Sequence, residues 1–104
     1  MRLTVRATLS FDEAARCLAE LGHPHRLQAF EFLVRAGAAG CPVSAVQAHL
    51  GIPKSTLSHH LAKLVEVGLV VQTREGRVLR CRIDEGRAQA MRSFVERCCE
   101  GLPS

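Results

Sequence analysis

No apolar run in this sequence approaches the roughly 20 residues that a membrane-crossing helix needs. The opening stretch, MRLTVRATLS, lacks the long apolar segment of a secretory signal. The expectation is therefore a cytoplasmic protein with no membrane partner. Catalytic signatures are missing as well. There is no glycine-rich phosphate loop, no H-E-x-x-H, no evident carboxylate pair, and no nucleophile signature around any cysteine. An enzyme is not expected. Internal repeats and low-complexity tracts are absent too, and 104 residues leave room for one domain, a small one for burying a large core alone. The five cysteines, at positions 17, 41, 81, 98 and 99, are odd in number and follow no signal peptide, which argues against a disulfide framework. In a reducing compartment such residues are small buried hydrophobes, metal ligands or reactive thiols.

What is present is a globular composition, 47 % hydrophobic, with a formal net charge of +4. An excess of positive charge suits a polyanionic partner, although +4 alone is a modest signal. The informative stretch runs from Cys41 to Ile83 and reads as two short helices joined by a tight turn, then a two-stranded hairpin. Ser44 and Gln47 have capping-box spacing at the start of the first helix, and Gly51 ends it. Pro53 suits the first turn of the second helix, where its missing N–H costs nothing. Leu57, Leu61, Leu64 and Val65 then recur at helical spacing as a core stripe. At about 100° per residue this leaves Ser55, His59, Ala62, Lys63 and Glu66 on the opposite face, with Thr56 and Ser58 on its flanks. Hydroxyls, an imidazole and a lysine on a short exposed helix suit a DNA major groove, where they can grip phosphates and reach base edges.

The hairpin turns at Glu75-Gly76. Alternation puts Leu79, Cys81 and Ile83 on one face and Arg80 and Arg82 on the other, with Arg74 and Arg77 close to the turn. Standing alone it would serve equally well as a solvated edge protected by arginines. Directly after a helix-turn-helix it reads as a wing for phosphate or minor-groove contact.

Residues 1–9 are expected to be irregular or weakly extended. Ser10 and Glu13 form another capping box and open a helix to about Leu21, whose apolar residues (Phe11, Ala14, Ala15, Cys17, Leu18, Leu21) spread over more than one face, as in a helix that also packs on another subunit. A second helix spans about Pro24 to Ala36, with Leu27, Phe30, Leu33 and Val34 towards the core and Gly37 as terminator. His23 and His25 flank Pro24. Solvation or capping accounts for them, since a metal role needs further donors nearby in space. Asp84 caps a final helix reaching Cys99 or Glu100, on which Ala88, Met91, Phe94, Val95, Cys98 and Leu102 make an apolar stripe in need of a partner. Surplus apolar surface at both ends points to a symmetric dimer that would set two recognition helices against a pseudo-palindromic site.

The segments LGHPHRLQAFEFL, STLSHHLAKLVEVGLV and REGRVLRCRID, in this order, resemble the ArsR/SmtB family of bacterial metal-responsive repressors, and the likeness covers roughly residues 10–100. It implies a mainly α fold with a β-hairpin wing: one winged helix-turn-helix domain over residues 1–104, with dimerisation helices at 10–22 and 84–100, the helix-turn-helix at 44–67 and the wing at 69–83. It further implies a homodimer that binds double-stranded operator DNA and releases it when an inducer binds. By position the operator would meet Lys54, Ser55, Thr56, Ser58, His59 and Lys63, with Arg74 and Arg77 from the wing. His60 matches a recurrent family histidine and lies near the apolar stripe, which favours a structural role.

Family members place inducers at several sites. The Cys-x-Cys site is incomplete here, since Cys41 is followed by Pro42. The Asp/His site on the last helix lacks its histidine, none occurring from position 61 onward. What remains is Cys98-Cys99, which resembles the paired cysteine of arsenic-responsive members. Trivalent arsenic is soft and thiophilic, and two thiolates at a fraying helix end can turn towards one ion. The bland alternative is that Cys98 packs on Met91, Phe94 and Val95 while Cys99 is incidental. A third ligand is open between Cys17, on the first helix, and Cys81, in the wing. Cys81 and Cys98 are separated by about 20 Å of helix, so sharing a site would take a fold-back or a partner chain. Methylarsenite needs only two thiolates, whereas arsenite wants three. The rival reading on the same fold is a thiol redox or persulfide sensor. Relatives of that kind carry a cysteine in the second helix, and none lies between His25 and Gly37 here.

Overall fold

The computed structural model describes residues 8–104. Of the irregular start expected over residues 1–9, residues 1–7 lie outside the described residues. Helix α1 (Phe11–Leu21) opens with the expected capping box: the Ser10 hydroxyl accepts the Glu13 N–H at 3.1 Å, and the Glu13 carboxylate accepts the Ser10 N–H at 2.9 Å. Ala14, Cys17 and Leu21 are buried along its inner face, while Phe11 and Leu18 are exposed. The two-sided apolar pattern in the sequence thus separates into one satisfied and one unsatisfied face.

Helix α2 (Pro24–Ala36) has His23 as its N-cap, the Nδ1 atom accepting the His25 N–H at 3.1 Å. Its core face differs from the one expected. Ala29 and Leu33 are buried and Phe30 half-buried, but Leu27 and Val34 are exposed. Ala29 and Leu33, one turn apart, set the inward direction, and Leu27 and Val34, seven residues apart, form a second stripe facing solvent.

A short strand β1 (Cys41–Pro42) leads into helix α3 (Val43–Leu50), a reverse turn through Gly51, and helix α4 (Lys54–Glu66). The expected Ser44/Gln47 capping box is not formed. Pro42 occupies the N-cap with no side-chain hydrogen bond, the helix begins one residue before Ser44, and the Gln47 amide donates instead to the Ile52 carbonyl at 3.3 Å. Gly51 ends α3 in the left-handed conformation, as expected of a residue without a Cβ. Pro53 is the N-cap of α4 rather than a residue of its first turn.

The wing consists of β2 (Val70–Glu75) and β3 (Val78–Ile83), with Glu75 opposite Val78, so the turn is Gly76-Arg77 and not Glu75-Gly76. It is also three-stranded rather than two-stranded. β1 pairs antiparallel with β3 through Cys41–Cys81 and Pro42–Arg80, in the order β1-β3-β2. A two-residue strand holding a proline gives too short a pattern to read from sequence. Gly40 makes the pairing possible, because a Cβ there would collide with the Cys81 carbonyl oxygen and φ is +71°. Asp84 caps the closing helix α5 (Glu85–Cys98) by accepting the Arg87 N–H at 3.1 Å.

The core gathers Leu33, Val46, Leu57, Leu61, Leu64, Leu69, Val70, Cys17 and Cys81, all fully buried. Each buried leucine contributes about 1.5–3 kcal/mol relative to exposure. This cluster fixes α4 by its inner face and leaves the outer face free. Val65, expected in the stripe, is exposed, and His60 takes its place among the buried residues. Among the described residues no helix is long and apolar enough to cross a membrane.

Candidate functional site

The outward face of α4 is built from its N-terminus. Lys54, Ser55, Ser58 and His59 are exposed and Thr56 is half-buried. With Pro53 as N-cap, no side chain caps this end. The first-turn N–H groups are left to partners from outside, the arrangement that favours a phosphate. Lys63 is placed differently from the rest: half-buried and in the last turn of α4, away from the hydroxyl cluster.

At the wing, Arg74 and Arg77 are exposed beside the turn. Arg80 is committed elsewhere. Its Nε donates to the Glu75 carboxylate at 3.0 Å and its terminal nitrogen to the Gly40 carbonyl at 3.4 Å, bracing β3 against the segment before β1. The exposed cations of the wing, Arg74 and Arg77, are thus near its tip, with Arg82 half-buried further along β3.

The five cysteines are all free thiols, in three settings. Cys17 is buried and donates to the Val67 carbonyl at 3.5 Å, and burial pushes its thiol up. Cys81 is buried opposite Cys41 and donates to the Cys41 carbonyl at 3.7 Å. Burial first, and then the neighbouring Cys41, push it up to about 12, and burial also raises Cys41. Such thiols are poor nucleophiles near neutral pH. Cys98 and Cys99 are exposed, one as the last residue of α5 and the other as its C-cap. Phe94, in contrast, is half-buried and packs edge-on against Phe11 of α1 at 5.7 Å. Within the chain the structure brings neither Cys17 nor Cys81 into a group of three ligands with the pair. Among the described residues, a single group of three or more potential ligands converges, and it contains no cysteine.

That group is His23, His25 and His60, each offering one atom within 4.8 Å of the others. The His23 and His60 rings lie 4.4 Å apart, and His25 lies 5.6 Å from each. His60 is only 5 % exposed. Burial, followed by the charges of His23 and Arg26, holds its ring below the ordinary histidine value. Arg26 faces its Nδ1 at 3.3 Å. A guanidinium can only donate, so Nδ1 accepts and the neutral ring carries its proton on Nε2. Sequence reasoning singled out His23 and His25 but assigned His60 separately. The missing signal was tertiary: the start of α2 sits over the inner side of α4.

A helix-turn-helix carrying an open polar N-terminus, followed by an arginine-tipped wing, is the architecture of a DNA-binding regulator. A model of the helix-turn-helix domain family matches residues 21–73, half of the chain. The chain belongs to that family. Among solved structures it is similar to homodimeric Mb0332 from Mycobacterium bovis, a possible ArsR-family transcriptional regulator, at 28 % identity, covering 89 % of this chain and 88 % of that one with a TM-score of 0.65. It is similar to the transcriptional repressor BigR from Xylella fastidiosa at 29 % identity, with 89 % of both chains covered and a TM-score of 0.66. A possible transcriptional regulator for arsenical resistance shares 25 % identity over 81 % of this chain and 84 % of that one, with a TM-score of 0.71. Among curated proteins none matches the sequence. The layout, from α1 to the closing α5, is thus that of the ArsR-type transcriptional regulators.

Proposed function

We propose that this DNA-binding regulator is a homodimeric repressor that releases its operator when trivalent arsenic binds the thiolates of Cys98 and Cys99. The observation that carries the reading is the exposed pair itself: two adjacent thiols at the end of α5, free of the burial that disables Cys17 and Cys81. The dimer reading rests on the apolar residues left open at both ends of the chain. Phe11 is 73 % and Leu102 70 % exposed, with Leu18 and Val95 also open, and Mb0332 is homodimeric. Contact through α1 and α5 covers these residues.

Lys54, Ser55, Thr56, Ser58 and His59 meet the operator at the N-terminal end of α4, Lys63 adds charge further along, and Arg74 and Arg77 hold the flanking backbone. Two thiolates satisfy methylarsenite. For arsenite a third thiolate would have to come from Cys17 or Cys81, both buried in the core with their thiols pushed up, so methylarsenite is the inducer that the exposed pair fits better. Ligand binding at an α1–α5 interface favours a dimer geometry in which the recognition helices no longer match the half-site spacing, so operator affinity falls. Titrating arsenite and methylarsenite into the operator complex with all thiols reduced tests this. The expected result is release by an arsenical that is lost in Cys98→Ser/Cys99→Ser. Unchanged affinity with both arsenicals overturns it.

A further inference from the structure

We propose that His23, His25 and His60 form a second, thiol-independent site for a borderline divalent cation such as zinc, cobalt or nickel. Three imidazoles are a ligand set suited to these ions, in contrast to the oxygen sets of magnesium and calcium or the thiolates that take soft ions. The fold has already drawn the three rings together from two helices. Their ligand atoms lie within 4.8 Å of one another, whereas nitrogens bound at 2.0–2.1 Å around a tetrahedral ion lie about 3.4 Å apart. Closing the site shortens these separations by at most about 1.4 Å, within reach of ring rotation at His23 and His25, which are both half-exposed. His60 is the fixed ligand, buried in α4. With three protein ligands, a tetrahedral ion would leave its fourth position to water.

Hydrogen bonds around the rings give the site a built-in competitor. The His60 Nδ1 atom accepts from Arg26 at 3.3 Å. An ion on Nδ1 takes the place of that guanidinium. An ion on Nε2 displaces the ring proton, which moves to Nδ1 through solvent and then opposes an Arg26 N–H. Either way, the ion and Arg26 exclude one another at His60. Arg26 gives up this contact at limited cost, because its Nε still donates to the Glu20 carbonyl at 2.6 Å and its other terminal nitrogen lies 3.6 Å from the Glu20 carboxylate. Nδ1 of His23, which accepts the His25 N–H, is under the same constraint. Occupation therefore exchanges an arginine tie between α2 and α4 for a metal tie between the same helices. It does so at the residue next to His59 on the face proposed to read DNA.

The test is titration of cobalt(II) and zinc(II) into the full chain carrying Cys98→Ser/Cys99→Ser, followed by the visible spectrum of the cobalt complex and by calorimetry. The expected result is one ion per chain, a spectrum free of thiolate-to-cobalt charge transfer, and affinity weakened about tenfold or more by His25→Asn. Arg26→Gln tightens binding by about tenfold, the scale at which partners of a ligand act. Circular dichroism of each variant separates loss of ligation from loss of fold, and His25, half-exposed at the surface, is the variant least exposed to that difficulty. Absence of binding at millimolar ion, charge-transfer bands marking a cysteine site, or affinity indifferent to His25→Asn and His23→Asn overturns the proposal.

Discussion

The two candidate ion sites are opposites. Cys98 and Cys99 are neighbours in sequence and easily noticed, but they sit exposed at a helix end, with no third ligand converging on them among the described residues. His23, His25 and His60 are scattered over two helices and inconspicuous in sequence, but the fold has assembled them around a buried ring. Proximity along the chain gives an adaptable site whose geometry a partner subunit or the ion must complete. Proximity through the fold gives a nearly assembled site whose affinity is limited by what already holds the rings. On the readings proposed above, the first would take a soft, strongly bonding inducer and the second a borderline ion in competition with Arg26.

The largest expected effect separates them outright. Cys98→Ser/Cys99→Ser abolishes release by arsenicals while moving stability by no more than about 0.5 kcal/mol, since both side chains are exposed; operator binding and thermal melting, measured side by side, check it. His60→Ala is expected to do the reverse to the fold. Removing a buried ring and leaving the Arg26 donor without its acceptor costs about 2–4 kcal/mol, read as a lower urea midpoint.

Protonation sharpens the contrast further. The folded chain holds His60 below its ordinary value, whereas the unfolded chain takes up the proton near pH 6.5. The unfolded state therefore binds more protons in the window below that value, and stability, full above about pH 6.5, falls as the pH drops towards the lowered folded value. Urea midpoints between about pH 7 and pH 5 should decline in the wild type and decline less in His60→Gln. Smaller effects are expected at the DNA face. Lys54→Ala and Arg77→Ala should each reduce the slope of log affinity against log salt by about 0.9 for every phosphate that the removed cation neutralised. Arg80→Ala, whose guanidinium is tied to Glu75 and Gly40, should leave that slope nearly unchanged.

Where sequence reading succeeded, the signal was local. The Ser10 and Asp84 caps, the left-handed Gly51 and the Leu57–Leu61–Leu64 stripe each follow from a few adjacent residues. Where it failed, a contact distant in sequence decided. β1 exists only because Gly40 lets the chain approach Cys81 and Arg82. The Ser44–Gln47 pair had the right spacing, but Pro42 starts the helix earlier and Gln47 closes the turn at Ile52. Leu27 and Val34 were apolar at helical spacing yet face outwards, since the small Ala29 sets which side of α2 packs closest. The exposed face of α4 was legible because its outer residues are defined by a core stripe on the same helix. The histidine cluster was not, because two of its members and the third lie on different helices.

The most direct test of the account is operator affinity measured with arsenite, methylarsenite, zinc and a polysulfide on the wild type, Cys98→Ser/Cys99→Ser and His25→Asn. The account predicts release by an arsenical in the wild type and in His25→Asn, and none in the cysteine double variant. Arsenical release that survives loss of both cysteines, or release by polysulfide alone, would contradict it.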